Sequence, residues 1–194
     1  MKRLALMLAA LSCSAAPLRA APGAEYVLSE GRFAVRPPKG WTASRDPRQD
    51  ARQKVYGVAL AGPRSADGIL SAIDVAYYPP GNALFKGGAA EYLKRNRGDD
   101  DRFVKPAGET TGPLEKAVVG GLPAQSFTRR TREYIPPDRT DSRAVAVVEE
   151  IAVVPAGDGF YVVVFKSSEQ LHDSLKAVFA RALASLRFTG AAKP

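Results

Sequence analysis

Two apolar runs, Ala144 to Val154 and Phe160 to Lys166, flank Pro155-Ala156-Gly157-Asp158-Gly159 and lead directly into an amphipathic stretch. Turn formers between two β-rich runs read as an antiparallel hairpin. In the stretch that follows, Leu171, Leu175, Val178, Phe179, Ala182, Leu183 and Leu186 recur at helical spacing and make one apolar stripe. A lone hairpin is too narrow to bury such a stripe, so the helix requires a wider sheet to lie on. The chain is therefore read as α+β, an antiparallel β-sheet flanked by helices. Ser167, with Gln170 three residues later, is the expected helix cap. Lys176, Arg181 and Arg187 are expected on the wet side, toward the end where the helix dipole favours cations.

The rest of the chain supplies the wider sheet. Arg32-Phe33-Ala34-Val35-Arg36 alternates charge and apolar residue like a half-buried strand and stops at Pro37-Pro38-Lys39-Gly40, after which Trp41 is expected to plug one end of the core. Lys54 to Ala61 and Ile69 to Tyr78 read as an antiparallel pair joined by a turn-rich loop, residues 62–68. Asp74 falls in mid-strand on the less apolar face, with Leu70, Ala72, Ala76 and Tyr78. An exposed or Arg-paired carboxylate is expected there in preference to a catalytic acid. Pro79 to Asn82 breaks the strand, and Gly88 to Arg97 predicts a short helix with Ala89, Tyr92 and Leu93 inward and Gly98 as its stop. A second strand-rich block opens near Leu114, turns at Gly120-Gly121, alternates from Pro123 to Arg132 and gives way to a polar connection from Tyr134 to Asp141.

The leader carries an address. Lys2 and Arg3 precede the apolar run Leu4 to Leu11, then small residues and Pro17, the layout of a secretory signal. Residues 1–20 are read as a signal peptide cut after Ala20, and residues 21–194 as one domain with its core at about 26–189. The expected location is periplasmic or secreted. Ala10-Leu11-Ser12-Cys13 loosely resembles a lipobox, which keeps open a lipid anchor at Cys13 and peripheral membrane association. No apolar run approaches the roughly 20 residues of a membrane-spanning helix.

Cys13 is the one cysteine in 194 residues and His172 the one histidine. That count removes most catalytic and metal sites built on thiolate or imidazole. No cofactor and no metal are expected. Asp99-Asp100-Asp101 lacks the alternate spacing and distal Glu of a calcium loop and reads as a solvated tip. Glu149 and Glu150 are strand neighbours that point to opposite faces, so they do not form a catalytic pair, although one of them suits a buried acid matched to an Arg. Residues 21–194 hold 25 Lys and Arg against 20 Asp and Glu, a net charge of +5 spread along the chain, which argues against a nucleic-acid surface.

Phe33-Ala34-Val35 running into Pro38-Lys39-Gly40-Trp41, the Gly121-Leu122-Pro123-Ala124 step, the Phe160-Tyr161 strand and a last helix ending Phe179 to Ser185-Leu186-Arg187-Phe188 resemble the PsbP-like superfamily. The resemblance spans about residues 26 to 189 and rests on core and turn signatures. It implies an α/β/α sandwich. Its members are mostly small and non-enzymatic, and include a lumenal extrinsic protein of photosystem II, a Ran-binding nuclear-transport protein and many exported bacterial proteins. No metal role carries over residue by residue, because the chain has only His172, beside Leu171 on the last helix, and a lone imidazole there reads as a helix-surface residue.

The expected function is therefore a non-enzymatic, exported interaction module, a monomer that docks on an envelope protein. Arg129, Arg130, Arg132 and Tyr134, beside a Pro-rich loop, are the candidate partner-binding residues, with a charge-protected edge strand as the alternative. A second reading is a periplasmic carrier of a lipid or small apolar ligand, with Tyr77, Tyr78 and Phe85 lining its mouth.

Overall fold

The computed structural model describes residues 24–99 and 106–189. The leader with Ala20 and Cys13, and Asp100 and Asp101 of the acidic run, lie outside the described residues. In chain order the elements are β1 (Tyr26–Leu28), β2 (Phe33–Val35), β3 (Thr42–Ser44), α1 (Pro47–Gln53), β4 (Tyr56–Arg64), β5 (Leu70–Tyr78), α2 (Gly88–Arg97), β6 (Thr110–Thr111), β7 (Glu115–Val119), β8 (Leu122–Ile135), β9 (Arg143–Ala156), β10 (Gly159–Ser168), α3 (Glu169–Ser185) and β11 (Arg187–Phe188).

Eight strands form one antiparallel sheet in the order β3-β4-β5-β10-β9-β8-β6, with β7 also paired to β8. The apolar hairpin β9–β10 lies in its interior, and β5 pairs on the far side of β10 with Phe165 opposite Ile73 and Val163 opposite Val75. Gly120 and Gly121, both at positive φ, make the tight turn from β7 to β8 that side chains with a Cβ resist. Strand β8 continues through Tyr134 and Ile135, where the sequence pattern predicts the connection.

Helix α3 covers one face. Phe179 and Ala182 are buried against Phe165, Val163, Tyr161 and Val154, so the predicted stripe is the one that seals the core. The cap is Ser168 and not Ser167: the Ser168 hydroxyl accepts from the Leu171 amide at 3.3 Å. Ser168→Ala should lower stability by about 1 kcal/mol, the usual cost of losing an N-cap, read from the urea midpoint. No cation occupies the last turn of α3, since the helix stops at Ser185 and Arg187 belongs to β11, where it pairs with Glu25.

Beside α3, strands β1, β2 and β11 make a second, three-stranded sheet. This corrects the half-buried strand expected at Arg32 to Arg36. Phe33, Ala34 and Val35 are all buried, because β2 has a strand on either edge and the main core beneath. Trp41 is half-buried against the core, its ring so close to Gly62 that a Cβ there would sit 2.4 Å away.

Helix α2 covers part of the opposite face. Tyr92 and Leu93 bury on Phe127, Ile151, Val153, Phe160 and Val162, as the sequence periodicity requires. The result is an α/β/α sandwich whose α3 layer is shared with the small sheet.

Candidate functional site

Direct pairing across β4 and β5 sets Gly57 opposite Ala76 and Ala59 opposite Asp74, so these four residues share one face of the sheet. It is the face that α2 covers farther along, over the large side chains of β8, β9 and β10. Over β4 and β5 the floor is too shallow to hold a helix by apolar packing. A groove of about 760 Å³ opens there, with Asp74 in its floor and α1 along its wall.

The wall comes from a helix that hydrophobic periodicity does not reveal, because α1 buries none of its residues. Capping forms it. Asp46 accepts from the amides of Arg48 and Gln49, both at 3.1 Å, Pro47 stands in the first turn, and Lys54 closes the helix in the left-handed region at φ 53°. Arg45 is held to Asp50 at 2.6 Å and to Glu30 at 3.4 Å. Burial raises the pKa of the Asp50 carboxyl, against the opposing pull of Arg45 and of a hydrogen bond from the Gly57 amide.

Asp74 has no such support. Among the described residues no donor lies within hydrogen-bonding distance of its carboxylate, which is half-buried in the groove floor. Burial pushes its pKa up to about 6, Lys166 pulls the other way and Glu149 adds to the rise. Lys166 is itself engaged by Glu133 at 2.5 Å. The exposed or Arg-paired carboxylate expected at this position is thus corrected: Asp74 is neither, because the neighbouring cations are committed elsewhere.

The candidate partner-binding residues do not make one surface. Arg129 shares its face with Glu149 and is paired to it at 2.6 Å. Arg130, Arg132 and Tyr134 lie on the other face of β8. Arg130 approaches Glu169 at 3.6 Å, the Arg132 guanidinium rests against Gly108, and Tyr134 is 61% exposed.

The carrier residues separate as well. Tyr78, Phe85, Tyr92 and Phe160 fill the space under α2, with Tyr78 stacked on Phe160 at 4.7 Å. Tyr77 points to the other face, against Tyr161. Burial pushes the Tyr78 hydroxyl up to about 12.

His172 is buried and not on the helix surface, because it falls on the inward side of α3 one turn before Leu175. Its Nδ1 lies 3.1 Å from the Ser167 hydroxyl and its Nε2 2.9 Å from Glu150. These are the residue types of a hydrolytic triad, but the nitrogens are exchanged relative to it and Ser167 is 0% exposed. The array binds the first turn of α3 to β9 and β10. Glu149 and Glu150 do face opposite ways, each with its own cation or imidazole partner.

No protein-family model matches the sequence, and no curated protein matches it. Among solved structures, the chain is similar to the solution structure of cyanobacterial PsbP (CyanoP) from Synechocystis sp. PCC 6803. The likeness covers 91% of this chain and 98% of that one, with a TM-score of 0.50 and 12% identity. Sheet order and helical layers define an antiparallel α/β/α sandwich. Within that class the fold is PsbP-like. Among the described residues no helix is long and apolar enough to cross a membrane, and no three His, Cys, Asp or Glu side chains gather as metal ligands.

Proposed function

We propose that the chain is exported by its first twenty residues and acts as a non-enzymatic module that docks on an envelope protein through the groove between α1 and the β4–β5 face. The observation that carries this reading is the uncovered floor of Gly57, Ala59 and Ala76 around an Asp74 that has no partner among the described residues, on a sheet whose two main apolar clusters are covered by α2 on one face and by α3 and the small sheet on the other. An apolar carrier is supported less, since its expected mouth is packed with aromatic rings.

The test is a photo-crosslinker placed by Ala59→Cys and, separately, by Tyr134→Cys. A mature chain that lacks Cys13 has no competing thiol. In the native envelope the residue-59 probe should give one discrete protein adduct and the residue-134 probe none. Adducts from residue 134 alone would transfer the docking surface to the β8–β9 arm, and a bare residue-59 probe with a co-purifying small molecule would favour a carrier.

A further inference from the structure

We propose that the groove receives an arginine side chain from the docking partner, its guanidinium paired with Asp74. This deepens the docking reading and rests on it. Three features of the site argue for it.

The first is uncompensated charge. Asp74 has no hydrogen-bond donor among the described residues. The cations nearest in effect are already engaged, Lys166 by Glu133 at 2.5 Å and Arg45 by Asp50 at 2.6 Å. A half-buried anion left without a partner is costly, and an incoming cation reduces that cost. The second is shape. On the β4 side Gly57, Ala59 and Ala76 raise nothing higher than a methyl group beside the carboxylate, while Val164 of β10 stands directly across from Asp74, so a planar group can lie flat over β4 with its edge toward the carboxylate. A space of about 760 Å³ accommodates a long side chain with its flanking backbone.

The third is the choice between the two cationic side chains. Guanidinium is planar, offers two parallel N–H donors to one carboxylate and is less strongly hydrated than ammonium, so it pairs with a half-buried carboxylate at lower desolvation cost. The pH response follows from the groups around Asp74. Lys166 and Glu149 act on it from β10 and β9, Tyr78 lies on its own strand, and Arg45, Asp46, Arg48 and Asp50 line the groove from the α1 side. Burial sets the Asp74 value at about 6. Arginine keeps its charge throughout, so binding should fade as acid neutralises the floor.

The experiment is a calorimetric titration of the full chain with the blocked tripeptide acetyl-Ala-Arg-Ala-amide. Parallel titrations use the citrulline and lysine analogues and free agmatine. The arginine peptide should bind at pH 7.5, lose at least about tenfold in affinity in Asp74→Asn, and lose a similar factor on acidification to pH 5. The citrulline peptide should not bind, and the lysine peptide should bind more weakly than arginine. Binding that survives Asp74→Asn, or that citrulline reproduces, overturns the proposal. Agmatine binding without peptide binding also overturns it, in favour of a small free cation. If no peptide binds while the residue-59 crosslink persists in Asp74→Asn, this inference fails and the docking reading stands. Loss of the crosslink in the otherwise unaltered chain defeats the docking reading itself.

Discussion

Asp74→Asn should stabilise the fold at pH 8 by about 3 kcal/mol and leave it unchanged at pH 3.5. The carboxyl titrates at about 6 in the folded chain against an ordinary 3.8, because burial outweighs the attraction of Lys166. With the folded value raised, the native state holds the proton more tightly than the unfolded chain. The group's stabilising contribution is therefore complete below about pH 4 and is lost as pH rises through 6. Each unit of difference corresponds to about 1.4 kcal/mol, and the shift of about two units gives the magnitude. Asparagine keeps the shape and never ionises, so it removes the penalty only where the wild type is charged. Urea midpoints at the two pH values make the comparison; a gain of equal size at both would mean that shape or hydrogen bonding, and not ionisation, governs this position.

Such a gain from a single uncharged substitution, on a floor kept shallow, is what the proposed docking reading expects of Asp74. Period-two alternation, legible from residues 69 to 78, puts Asp74 on the correct face of the correct strand. Its missing partner leaves no such trace. Which cation reaches which carboxylate depends on register across four strands: Arg129 meets Glu149 because β8 pairs with β9, and Lys166 reaches Glu133 across β9.

The same division holds for the architecture. The β9–β10 hairpin, α2 and α3 are readable because each carries an apolar stripe or run bounded by turn formers. Helix α1 is not, since it has no apolar face and is made by Asp46, Pro47 and the left-handed Lys54. An Asp-Pro pair followed by a second acid is the available signal. The three-stranded sheet escapes a local reading because it joins residues about 150 apart in the chain, with Arg187 paired to Ala34, and such a pairing leaves no local pattern. His172 is hidden for a related reason: a single polar residue on an inward helical position is betrayed only by what lies opposite, here Glu150 and Ser167.

His172→Ala should cost about 2 to 4 kcal/mol, and the loss should appear in folding alone. The imidazole joins Ser167 on β10 to Glu150 on β9 through its two nitrogens and stacks on Phe165 at 5.2 Å, which in turn stacks on Phe179 of α3 at 4.9 Å. Truncation leaves a cavity beside Phe165, a half-buried Glu150 without its donor and a buried Ser167 hydroxyl without its acceptor, and each of these contributes. Ser167→Ala should cost less, about 1 kcal/mol, since it removes one neutral hydrogen bond and leaves the imidazole bound to Glu150. A relay that served hydrolysis would show the reverse ranking of effects. Removing the hydroxyl nucleophile would then abolish turnover of a small ester with little effect on the urea midpoint, whereas removing a clamp lowers the midpoint according to how much packing and hydrogen bonding it held together. Calorimetric or urea unfolding of the two variants, run beside an ester-hydrolysis assay, separates the two roles, because the burial of Ser167 predicts no turnover to lose and a graded loss of α3 docking.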